Sequence, residues 1–159
     1  SGLMVFARSP EAQRHISRQF ELRNTEKQYQ ALVLGALHGQ GSIDVPVRYD
    51  PTRPPMHMVD LEHPKQALTH WQALPVQQID GQDMTPLQLT PITGRSHQLR
   101  VHLLHLGHAI LGDALYANPQ GLALWPRLAL HSALLAFDHP ITLQRQIFRS
   151  DADFWQIVR

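Results

Sequence analysis

The chain of 159 residues has no cysteine and only two lysines. Without thiols it can build neither a disulfide framework nor a thiolate nucleophile nor a Cys-ligated zinc site, which fits the cytoplasm. No apolar run approaches the ~20 residues needed to span a bilayer. The N-terminus lacks the basic-then-apolar pattern of a signal peptide. Net charge is also scarce: 14 Lys and Arg against 13 Asp and Glu leave +1 at pH 7. The field of the whole molecule is therefore too weak to draw in a polyanion, and any such binding must rest on a local patch. Repeats, linkers and low-complexity stretches are missing too, so residues 1–159 read as a single domain.

What is present is the composition of a globular protein, 43% hydrophobic and 17% charged, with enough length for a substantial core. The two lysines leave twelve arginines among the basic residues, and the planar guanidinium fork suits bidentate contact with phosphate or carboxylate. Leu3 to Ala7 reads as a buried strand. Ser9-Pro10 reads as a helix cap with proline at the first helical position, and Ala12, Ile16 and Phe20 continue an amphipathic helix to about Arg23. Residues 26–37 form a strand with Tyr29, Ala31 and Val33 on one face. Ser42 to Tyr49 predicts another strand. The proline-rich stretch Pro51 to Pro64 predicts a loop with a short extended piece at Met56 to Val59. Gln66 to Ile79 and Met84 to Ile92 are strands joined by an Asp80-Gly81 hairpin turn, and a helix follows, with Ser96 as its cap and Gly107 as its stop. Residues 117–127 read as irregular, and two strands near 129–138 and 141–149 close the chain. This is an α+β pattern: a mixed, mainly antiparallel sheet with a few flanking helices.

The densest chemistry lies between Thr90 and Tyr116. There a β-type entry meets a Gly94-Arg95 turn, then a helix bearing His97, Arg100, His102 and His105, then a second glycine turn with Asp113. Folding alone rarely demands so many guanidinium and imidazole groups together, so the segment points to an anion. A metal is disfavoured, because no carboxylate follows His102 and His105 at metalloprotease spacing. Asp113 is expected to bond backbone amides in its turn.

Thr93-Gly-Arg95-Ser-His97-Gln98-Leu-Arg100-Val-His102 resembles the Gly-Arg-x-His-Gln-Leu-Arg-x-His segment of the RluA-type family of RNA pseudouridine synthases. Gly107 to Asp113 resembles the glycine-flanked loop that follows it. Lys27-Gln-Tyr29, Lys65 to Thr69, and Leu130-His-Ser132 with His139-Pro140 resemble further segments, in the same order and over essentially the whole chain. The resemblance implies an isomerase that converts a uridine of structured RNA, ribosomal or transfer, into pseudouridine, with no metal or cofactor. It implies that Tyr29 lies against the flipped base and takes part in removing the C5 proton. A tyrosine on a strand face is otherwise expected simply to pack. Arg95 corresponds to the arginine that pairs with the family's nucleophilic Asp. His97 and Arg100 contact phosphate or the pocket entrance, or else pack behind it, and Lys27 belongs with the substrate-binding residues. Arg53 to His57 and Arg14, Arg18 and Arg23 are candidates for RNA contact outside the pocket.

One departure stands out. The family's Asp lies in a His-Arg-Leu-Asp-x-x-Thr-Ser-Gly segment, and this sequence opens on residues matching only the last two, Ser1-Gly2. The expectation is a truncated catalytic domain whose Asp precedes Ser1, inactive alone, with Arg95 mobile or holding an adventitious anion. An open sheet edge would then leave it marginal or dimeric through that edge. The alternatives are a non-catalytic RNA-binding module on the same fold, or an α+β domain for another small anion.

Overall fold

The computed structural model describes residues 1–158, with side chains through Gln156. Helix α1 (Pro10–Glu21) starts as the sequence predicts, the Ser9 hydroxyl accepting from the Ala12 amide. It is followed by β1 (Glu26–Leu34), β2 (Gln40–Asp44), β3 (Val47–Tyr49), β4 (His57–Val59), β5 (Leu68–Ala73), β6 (Gln77–Ile79) and β7 (Gln82–Pro91). Then come α2 (Gln98–His105), α3 (Pro119–Leu124), β8 (Leu130–Asp138), β9 (Arg145–Arg149) and a 3-10 turn (Asp153–Val158). The main sheet runs β2-β5-β7-β1-β8-β9, with β6 also on β7, and β3 pairs with β4 in a separate ribbon. Every pairing between these strands is antiparallel.

Register decides what each face carries. Tyr29 pairs with Leu89 and Ala31 with Leu87, so these side chains share one face with Val33. Leu99 and Leu103 of α2 join the core cluster on them. On the same face, Ile16 of α1 packs against Leu135 and Phe137 of β8, with Leu3 and Val5 at the side. The buried Gln19 ties α1 down further: its amide donates to the Asp138 carbonyl at 2.8 Å and accepts from the Asp138 amide at 2.7 Å. The opposite face carries Gln28, Gln30 and Leu32, and Gln30 holds the C-terminal turn there through Asp151 (2.9 Å) and the Ala152 amide (2.8 Å). Helices α1 and α2 thus flank one face of β1 and leave a gap over Lys27 and Tyr29.

Several predicted boundaries shift for identifiable reasons. Leu3 to Ala7 is not a buried strand: only Gly2 bridges β8, at Ser132, and Met4 and Phe6 are 73% and 79% exposed. The bridge needs a glycine, since Gly2 has φ +101° and an added Cβ would fall 2.4 Å from the Ser132 carbonyl oxygen. Pro46 breaks the predicted Ser42–Tyr49 strand, because proline cannot donate to a ladder and constrains the residue before it. Pro75 does the same between β5 and β6. Residues 117–127, read as irregular, contain α3, capped by the Asn118 side chain accepting from the Gly121 amide. Asp80-Gly81 forms the predicted hairpin turn with both residues at positive φ, 50° and 75°, as a type I′ turn requires.

Candidate active site

Between α1 and α2, over β1, lies an open cleft of about 380 Å³. Tyr29 and Lys27 come from β1, Phe20 from α1, Leu130 from β8, and Thr93 to Arg95 with His97 to Arg100 from the turn into α2. An adjoining hollow of about 650 Å³ shares Phe20, Lys27 and Tyr29 and runs along the N-terminal segment. The expected site residues therefore converge: Tyr29, Lys27, Arg95, His97 and Arg100 all line one cleft. Sequence reasoning missed its apolar walls, Phe20, Pro91, Leu99 and Leu130. A further hollow of about 480 Å³ on the opposite face is lined by Gln40, Ser42, His70, Trp71, Gln72 and Gln88, with no lysine or arginine, and offers an anion little.

The Gly94-Arg95 turn is fixed by a buried polar network that uses every hydrogen-bonding position of Gln98. Its carbonyl oxygen accepts from the Thr93 hydroxyl at 2.8 Å and the Arg95 amide at 3.0 Å. Its NH2 donates to the Leu68 carbonyl at 3.1 Å and the Thr69 hydroxyl at 3.0 Å. The Thr69 hydroxyl donates in turn to Nδ1 of His102 at 2.9 Å, and His102 Nε2–H donates to the Val45 carbonyl at 2.9 Å. Buried polar networks rigidify a fold when every member is satisfied, and this one bolts the turn to β5. Ser96 is not the helix cap. His97 occupies that position, in the left-handed region at φ 54° and without a side-chain cap bond. A non-glycine residue there is strained and persists only where its surroundings hold it. Tyr116 holds it: its oxygen accepts from the His57 amide at 2.7 Å and lies 2.7 Å from His97 Nδ1. Replacing Tyr116 by Phe removes both bonds and is expected to cost about 1–2 kcal/mol, read as a lower urea midpoint.

His102 is fully buried. Burial, chiefly, holds its pKa below the ordinary histidine value; the Val45 carbonyl works against this and the nearby His105 with it. The neutral ring is thus the folded form, its Nδ1 accepting the hydrogen bond from the Thr69 hydroxyl. Because the folded pKa is lowered, this stabilisation is complete above about pH 6.5 and is lost as pH falls through the folded value. His97, lowered mainly by burial and next by Arg100, acts in the same sense. The denaturation midpoint is expected to drop between pH 7 and 5, and His102→Asn to flatten that dependence.

The cations divide into two kinds. Arg100 is engaged: its Nε and Nη2 donate to Asp113 at 2.8 and 2.6 Å, and its guanidinium lies 4.8 Å from the Tyr116 ring centroid. Asp113 does bond backbone amides as expected, Leu115 at 3.0 Å and Tyr116 at 3.2 Å, but its ion pair with Arg100 was not foreseen. Arg95 is exposed, and among the described residues its side chain donates only through Nε, to the Gln66 carbonyl at 3.2 Å. Lys27 Nζ sits 5.9 Å from the Phe20 ring centroid, and burial first, then Arg23, lowers its pKa. Among the described residues neither Arg95 nor Lys27 has a salt bridge. Among the described residues no carboxylate lines the cleft itself, and Glu21 lies on an adjoining hollow that Lys27 and Arg95 also line. The result is a cleft with an aromatic wall and two uncommitted cations, shaped for a planar, anion-bearing guest. Among the described residues no His, Asp or Glu group has metal-site geometry, and no helix is long and apolar enough to cross a membrane.

A family model described as RNA pseudouridylate synthase matches residues 1–105. The dual-specificity RNA pseudouridine synthase RluA of Pasteurella multocida is 47% identical over 155 residues, 97% of this chain and 69% of that protein. The RluA proteins of Haemophilus influenzae and Escherichia coli K12 are 42% and 41% identical over the same shares. Among solved structures, human RNA pseudouridylate synthase domain containing 1 superposes with a TM-score of 0.81 at 28% identity, covering 93% of this chain, which spans 63% of that one. The chain belongs to the RNA pseudouridine synthases, in the RluA-type family.

Proposed function

We propose that the cleft holds a uridine flipped from structured RNA, ribosomal or transfer, in the cytoplasm, and that this chain supplies the base-holding and cationic side of a pseudouridine synthase site. The reaction breaks the C1′–N1 bond, turns the uracil and rejoins C1′ to C5, with C5 losing a proton and N1 gaining one; the product is an isomer of the substrate. A base in a duplex is out of reach, so the enzyme must extrude it into a pocket. In this reading the Tyr29 ring lies against the base and its hydroxyl serves the C5 proton transfer. Arg95 pairs with the reacting carboxylate and keeps it ionised, and Lys27 and His97 bind substrate beside it. Arg100 acts at one remove, since Asp113 occupies its fork. The reacting carboxylate this reading requires is the family's Asp, set opposite Arg95.

The observation that carries the reading is the convergence of Tyr29, Lys27 and Arg95 on one cleft where, among the described residues, neither cation has a salt bridge. The family relationship favours this enzyme over a non-catalytic RNA-binding module. The test is to map pseudouridines in RNA from cells with and without the gene, and to assay the chain alone and joined to a preceding His-Arg-Leu-Asp segment. A uridine should lose its modification without the gene, and only the extended chain should restore it. An unchanged map would refute the enzyme reading, and activity of the chain alone would refute the placement of the carboxylate.

A further inference from the structure

A row of rings leaves the cleft along the β3–β4 ribbon. His97 lines the cleft; its ring lies 5.7 Å from Tyr116 and 4.7 Å from His57, and His57 meets Tyr49 edge-on at 5.7 Å. Tyr49 and His57 are cross-strand partners, so the row runs from the cleft to the open rim of the ribbon. At that rim Tyr49 is 48% exposed, and its hydroxyl has no hydrogen bond among the described residues. The loop beyond it carries Arg53, whose Nε donates to the buried Asp50 at 2.9 Å while its side chain stays 62% exposed. Asp50 thereby steadies the guanidinium and leaves its outer edge to solvent. His57 Nδ1 is buried with no partner among the described residues, a group that native structures rarely leave unused.

Fold stability accounts for His97 and Tyr116, which secure the strained turn. It does not account for a half-exposed tyrosine and a braced arginine continuing that row outward. We propose that the Tyr49 ring, braced edge-on by His57, is a stacking platform for the nucleotide next to the target uridine, with Arg53 taking its phosphate. The proposal rests on the pseudouridine synthase reading of the cleft. Drawing one uridine out of an RNA loop pulls a neighbour out of its stack, and an unstacked base is held on aromatic faces beside a guanidinium. Such a platform makes the enzyme sensitive to the base beside its target.

The test measures binding of an RNA stem-loop with a single loop uridine, and of two versions lacking the base on either side of it. Tyr49→Ala should weaken binding of the intact stem-loop by about tenfold, the factor that 1.4 kcal/mol makes and within the range of base–aromatic stacking. Tyr49→Phe should bind like the parent chain. On one of the two abasic RNAs the parent and Tyr49→Ala should bind alike, because the stacking base is already gone. Arg53→Gln should lower the salt slope by about one. If Tyr49→Ala binds the intact RNA normally, or loses equally on all three, the platform is wrong and the cleft assignment stands. If the parent chain binds no stem-loop at all, the functional reading fails and the platform with it.

Discussion

In the active enzyme, Tyr29→Phe is expected to leave RNA binding and stability nearly unchanged and to slow turnover at least about a hundredfold, the lower range for loss of general acid–base help. The structure makes this substitution unusually clean. The Tyr29 hydroxyl makes no hydrogen bond among the described residues, so its removal breaks nothing in the fold and orphans no buried partner. The ring that remains still offers a face to a base and still packs with its neighbours on β1. Binding and chemistry therefore separate: KM holds while kcat falls, and intermediate accumulates on the RNA. Quantifying pseudouridine by mass spectrometry against time, with binding measured in parallel, checks both. Undiminished kcat would remove Tyr29 from the proton transfer and leave it as a packing residue.

Asp113→Ala is expected to destabilise the fold by about 3–5 kcal/mol, the usual cost of removing one member of a buried ion pair. The Asp113 side chain is 1% exposed, the Arg100 side chain 16%. Alanine would leave that largely buried guanidinium without its counter-charge, strip the Leu115 amide of its acceptor and leave the Tyr116 amide only the backbone carbonyl of residue 113, at 3.3 Å. The damage spreads because Tyr116 also holds His97 at the start of α2. Urea denaturation reads the loss directly. Asp113→Leu combined with Arg100→Met should recover part of it, since a packed apolar pair can replace a buried charge pair at little cost. A midpoint that does not move on Asp113→Ala would show that the pair is dispensable.

Local signals foretold local structure well. Ser9-Pro10 starts a helix because its hydroxyl satisfies a free amide, and Asp80-Gly81 turns because both residues tolerate positive φ; both mechanisms need only neighbours in sequence. Failures came where a distant residue decides. Ser96 has the right chemistry for a cap, yet Gln98 commands the turn through β5, some thirty residues back in the chain, and shifts the helix start past His97. Leu3 to Ala7 has a strand's composition, but β8 takes up only Gly2 before it and the Leu3 amide, so Phe6 is left in solvent. Tyr29, Lys27 and Arg95 were named from motif resemblance, whereas the walls that make their meeting place a cleft, Phe20 and Leu130, are apolar side chains whose place beside the site depends on how distant elements pack. Asp113's partner was hidden for the same reason: a turn residue's local bonds are readable, and an ion pair across a helix is not.

The strand order carries a cost in time. β1 supplies two of the cleft's residues and lies between β7 and β8, so its second edge waits for residues that leave the ribosome about a hundred positions later. At about 5–20 residues per second, that is a delay of roughly 5–20 s during which the strand bearing Lys27 and Tyr29 has one bare side. Contacts so far apart in sequence also slow folding itself. The nascent chain thus cannot hold a uridine until its last third has arrived, and a chaperone that shields β1 over that interval should raise the yield of native protein more than one acting at either end.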